Sequence, residues 1–115
     1  PFIGGVYPLR ADCPAFPIKR DGERVTGLPG GFMMIRRDVI EKLSTTTYKT
    51  STLQFGELEV SPLFTREFKD GGYVGEDYAF CNRVLNAGYE LTAMPGIEFT
   101  HTGNKTWRGS YAGND

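Results

Sequence analysis

The chain has 115 residues, 13 of them basic and 14 acidic, for a formal net charge of -1. That length suits one domain around a single apolar core, and the near balance of charge gives no electrostatic reason to expect a nucleic-acid or anionic-membrane surface. No apolar run approaches the roughly 18 residues of a membrane span and no signal-peptide pattern opens the chain, so the expectation is a soluble, cytoplasmic protein.

Fifteen glycines and seven prolines, with glycine at about twice its usual share of roughly 7%, predict loops that matter. PFIGGVYPL has the apolar and aromatic content of a strand, broken at Gly4-Gly5, where a bulge or close backbone approach is expected. RADCPAFPIKRDGERV carries Pro14, Pro17 and the turn signal Asp21-Gly22, and reads as a loop ending in a small hairpin. In GLPGGFMMIRRDVIEKL, Gly27, Pro29, Gly30 and Gly31 lead into the apolar run from Phe32 to Ile35. A helix from Asp38 to Leu43 follows, with Asp38 as cap and Glu41 at the capping-box spacing. Residues 44–61 are Ser/Thr-rich and poorly patterned, although the alternation at Leu58 and Val60 suggests an edge strand.

PLFTREFKDGGYVG ends in Gly71-Gly72 and Gly75 and reads as a mobile loop leading to Glu76. The next helix is expected from Asp77 to Asn86, burying Phe80, Cys81, Val84 and Leu85, with Gly88 as its left-handed terminator. YELTAMPGIEFTHTG supplies two short strands split at Pro95-Gly96 and ends near the only histidine, His101. Residues 1–103 are read as one domain, and residues 104–115 as a polar tail, either an arm or disordered. Asn104-Lys105-Thr106 matches a glycosylation triplet that arises often by chance. The two cysteines, Cys13 and Cys81, have no spacing that suggests a metal knuckle or redox pair. Cys81 reads as a buried thiol, with a disulfide to Cys13 left open. The fold class expected is α/β: a small mixed sheet, about two helices and long loops.

Glu76 and Asp77 are adjacent, so on a helix they cannot face one another and must present their acid groups to something else. The plain reading is stabilisation of the helix start. The chemical reading is that a carboxylate on a rigid helix start beside a glycine-rich loop can take a proton from a hydroxyl nucleophile. His101 could return to the same cleft and, with Asp, Glu and a divalent ion, complete an ordinary coordination set. Gly30 and Gly31 either make turns or bring backbone close to a ligand, with Met33 and Met34 along one wall. No phosphate loop, dinucleotide fingerprint or Ser-His-Asp signature is present.

Three pieces in order, GLPGGFMMIRRDVIEKL, LFTREFKDGGYVGEDYAFCNRVLNAGYEL and PGIEFTHTG, resemble the C-terminal, acceptor-side half of GT-A-fold, family-2-like glycosyltransferases. The resemblance spans roughly residues 1 to 103. It implies that Asp77 is the general base toward an acceptor hydroxyl and that Glu76 orients the acceptor or supports the base. It further implies that Gly30, Gly31, Met33 and Gly75 are substrate-binding positions, that Arg83 ties the helix to neighbouring carboxylates, and that His101 is a metal ligand. The cofactor implied is Mn²⁺ or Mg²⁺, and the partners are a nucleotide-sugar donor and a hydroxyl acceptor. The chain lacks the Asp-x-Asp motif of the nucleotide-binding half of such enzymes. Together with an initial proline in place of methionine, this leads to the expectation of a fragment, inactive by itself. The alternatives are a non-catalytic carbohydrate-binding module, or a structural module whose open sheet edge associates with itself as a homo-oligomer.

Overall fold

The computed structural model describes residues 2–9 and 15–113. In chain order the elements are β1 (Phe2–Gly5), β2 (Lys19–Asp21), β3 (Arg24–Gly27), β4 (Met33–Ile35), α1 (Arg37–Leu43), β5 (Tyr48–Thr52) and β6 (Gly56–Val60). Then come β7 (Glu67–Lys69), β8 (Gly72–Val74), α2 (Glu76–Asn86), β9 (Leu91–Met94), β10 (Glu98–Thr102) and β11 (Thr106–Ser110). The chain is mixed α/β. A three-stranded sheet of order β4-β1-β9 forms the centre, with β1 antiparallel to β4 and parallel to β9. The remaining strands form the two-stranded hairpins β2-β3, β5-β6, β7-β8 and β10-β11. Among the described residues no helix is long and apolar enough to cross a membrane.

Strand β1 organises both sides of the molecule, because successive residues of a strand face opposite ways. On one side Phe2 is fully buried and meets Phe80 of α2 edge-on, with ring centroids 5.8 Å apart. Gly4 faces the same way, and a Cβ there would lie 2.9 Å from a methyl carbon of Leu28. Gly5 faces the other way, where a Cβ would lie 2.6 Å from Phe99 and 2.9 Å from Phe32. The glycine pair therefore admits large side chains on both faces of a strand that stays unbroken. The core collects Phe2, Val6, Leu28, Val39, Phe80, Cys81, Val84 and Tyr111.

Helix α2 begins one residue earlier than the sequence suggests and ends as expected. Gly88 has φ +91°, its N–H donates to the Leu85 carbonyl, and the Tyr89 N–H donates to Val84 at 3.2 Å. This is the left-handed closure that glycine adopts without steric cost. In α1 the capping box does not form. Arg36 occupies the cap position, and Asp38, already inside the helix, accepts from the Arg36 guanidinium at 2.6 and 2.9 Å. Glu41 meanwhile pairs with Arg37 at 3.1 Å.

Three segments differ from their sequence reading. Residues 67–74, read as a mobile loop, form the β7-β8 hairpin, turned by Asp70 (φ +53°) and Gly71 (φ +75°). Two successive positive φ values are what a tight two-residue hairpin needs. The stretch 44–61 contains a full hairpin, β5-β6, with every strand residue exposed. The polar tail is not an arm: β11 pairs with β10 through His101↔Trp107, and Tyr111 is 1% exposed in the core. Its ring meets Phe16 at 5.8 Å, and its hydroxyl receives the Arg20 guanidinium. Cys81 is a buried free thiol, whereas Cys13 lies outside the described residues.

Candidate functional site

The start of α2 and the Leu28–Phe32 turn face one another and build the site. Gly75 is the cap residue, with an extended backbone that offers no side-chain bond, so the first-turn amides must be met by other groups. Asp77 meets one of them from within the helix. Its Oδ1 accepts from the Tyr78 N–H at 2.8 Å, and its Oδ2 accepts from the Gly30 N–H across the cleft at 3.2 Å. A carboxylate held by two backbone donors at a helix N-terminus has a fixed orientation and a favourable field for negative charge.

The glycines of the turn serve neighbouring side chains. A Cβ on Gly30 would lie 3.4 Å from the Asp77 Cβ, so its backbone closes on the acid, and a Cβ on Gly31 would lie 2.4 Å from the ring of Tyr7. Burial raises the Tyr7 phenol above its ordinary value, and the Asp77 carboxylate raises it further, with Glu76 adding a smaller push. Tyr78 is raised in the same way, first by burial and then by Asp77, while its hydroxyl donates to the Pro17 carbonyl at 3.1 Å.

Tyr7, Gly30, Gly31, Met33, Glu76 and Asp77 line an open cleft of about 680 Å³. Five of the residues singled out in the sequence thus come together. Gly75 stands behind them as the cap of α2, its hypothetical Cβ 3.4 Å from Asp77 Oδ1. Met34 does not join the wall. Strand alternation turns it away from Met33, and it is 66% exposed. Glu76 lines the cleft and lies 3.9 Å from the guanidinium of Arg66. Tyr7, Phe32 and Phe64 are cleft residues without a signal in the sequence beyond their aromatic character.

His101 does not line this cleft. It borders an adjoining pocket of about 360 Å³ that shares Tyr7, Gly31 and Phe32 with the first. Its Nδ1 lies 3.0 Å from the Pro8 carbonyl oxygen and its ring meets Tyr7 edge-on at 5.6 Å. Among the described residues no group of three His, Cys, Asp or Glu side chains is assembled to hold a metal ion. The donor set for Mn²⁺ or Mg²⁺ is therefore not met by these residues alone. Arg83 binds outward from α2: it donates to Glu67 at 2.5 Å and to the Leu63 carbonyl at 2.8 Å.

Comparison with protein-family models, with curated proteins and with solved structures finds no match to the chain in any of the three.

Proposed function

We propose that the chain is the acceptor-side part of a glycosyltransferase, with the cleft between α2 and the Gly30-Gly31 turn receiving the sugar acceptor. The observation that supports this is the Asp77 carboxylate, fixed by the Gly30 and Tyr78 N–H groups and lining an open cleft. A carboxylate so held accepts the proton of an acceptor hydroxyl while that oxygen forms the new bond to the anomeric carbon of a donor sugar. The bond from that carbon to the nucleoside diphosphate breaks, and the diphosphate leaves with its electron pair. Glu76, on the same wall, supplies a second acceptor for neighbouring hydroxyls.

The test is transfer from a panel of nucleotide sugars to immobilised glycans by the intact enzyme, in which this part is joined to a nucleotide-binding half, with wild type beside Asp77→Asn. Loss of a general base lowers turnover by about 10²–10⁴-fold. Turnover that survives Asp77→Asn overturns the assignment of the base. Glycan binding that needs neither nucleotide nor metal and gives no transfer favours a carbohydrate-binding module. Absence of both transfer and glycan binding removes the reading altogether.

A further inference from the structure

We propose that the pocket beside the cleft is a second saccharide subsite, so that the ligand of this surface is a neutral glycan of at least two rings. The inference rests on the saccharide reading of the cleft and adds the length and charge of what occupies it. The two cavities, about 680 and 360 Å³, share the wall formed by Tyr7, Gly31 and Phe32, so one ligand can pass from the acid side to the aromatic side. Each volume is on the scale of small-ligand sites.

The second pocket is walled by rings. Phe32 and Phe99 pack 5.5 Å apart, and Tyr7 is set edge-on to His101, whose Nδ1 is engaged by the Pro8 carbonyl. Phe99 and His101 are two residues apart on β10 and so share a face of the strand. Backbone positions that exclude a Cβ make room for these rings. A methyl group on Gly5 would strike Phe99 at 2.6 Å and Phe32 at 2.9 Å, and one on Gly31 would strike Tyr7 at 2.4 Å. Aromatic walls suit the C–H face of a pyranose ring, while the carboxylates of Glu76 and Asp77 next door accept from its hydroxyls.

Charge narrows the class further. Among the described residues lining either cavity there is no lysine or arginine, and the cleft carries two carboxylates. Arg66, which reaches Glu76 at 3.9 Å, is engaged by that carboxylate and lines neither cavity. A phosphate, sulfate or sialic-acid carboxylate placed beside Glu76 and Asp77 would meet like charge with no lysine or arginine in the lining to offset it. The ligand of this pair of pockets is therefore uncharged.

The experiment is an immobilised panel of neutral and anionic glycans, followed by calorimetry of the bound disaccharide against its own constituent monosaccharides. Wild type, Phe99→Leu, His101→Ala and Asp77→Asn are compared, with amide NMR spectra confirming that each variant is folded. The expected result is a disaccharide that binds about tenfold tighter than either monosaccharide. That advantage disappears in Phe99→Leu and His101→Ala, while Asp77→Asn weakens every saccharide. Disaccharide and monosaccharide binding equally, in an Asp77-dependent way, overturns the second subsite and leaves the acceptor reading standing. Binding restricted to anionic glycans overturns the neutral ligand and leaves the acceptor reading standing, and no glycan binding at all overturns both.

Discussion

Cys81 gives the fold a measurable sensitivity to alkali. Its side chain is fully buried, and its Sγ accepts from the Leu28 N–H at 3.3 Å, tying α2 to the turn that carries Gly30. Burial pushes the thiol up from 9.0 to about 11, against a smaller opposing effect of the Leu28 hydrogen bond. Because the folded protein holds this proton more tightly than the unfolded chain does, the stabilisation is complete below pH 9 and is lost as pH rises toward 11. A difference of two pKa units corresponds to about 2–3 kcal/mol in full, and about 2 kcal/mol of it is gone at pH 10.5. Urea unfolding followed by far-UV circular dichroism at pH 8 and pH 10.5 measures that loss. Tyr7 and Tyr78, also raised, add an alkaline loss of the same sign, so wild type must be compared with Cys81→Ala. The variant costs about 1–2 kcal/mol at pH 8, through the unpaired Leu28 N–H and the vacated volume. It should then lose about 2 kcal/mol less than wild type on going to pH 10.5. Equal alkaline losses in the two proteins refute the reasoning.

Gly31→Ala forces Tyr7 off the turn, since the new carbon would sit 2.4 Å from its ring. Overpacking of this kind costs about 1–3 kcal/mol, and the change should move the His101 ring resonances in an NMR spectrum by breaking its contact with Tyr7. Unchanged His101 shifts would mean that the ring is not held as described. Tyr111→Ala removes a fully buried ring that Phe16 and Arg20 hold in place. It should destabilise by about 3–5 kcal/mol in chemical denaturation, whereas a disordered tail would predict almost no change.

Where local chemistry decides, the sequence was informative. The apolar spacing and Gly88 marked α2 to within a residue, and Asp21-Gly22 marked the β2-β3 turn, where Gly22 has φ +61°. The same Asp-Gly signal at Asp70-Gly71 went unread because it lies in a glycine-rich stretch, with Gly72 and Gly75 following, whose short strands β7 and β8 show no alternation of their own. Strand β11 was hidden for another reason. Arg108 and Gly109 lower its strand character, and its place comes from pairing with β10 and from the burial of Tyr111, which are tertiary effects. In the site, the acids and the glycine turn could be read because their residue types are unusual there. Tyr7 and Phe32 could not, because an aromatic residue near a strand end signals only burial until the opposite wall is known.

The placement of β1 also has a consequence in time. Residues 2–5 find their first partner strand at 33–35 and their second only at 91–94, and the core is closed by Tyr111. Pairings of such long sequence separation must pay the entropy of closing the loop before any contact rewards it. Strand β1 is therefore paired on both edges only once β9 is in place. Until β9 joins it, this apolar segment keeps an open hydrogen-bonding edge that is available to other strands.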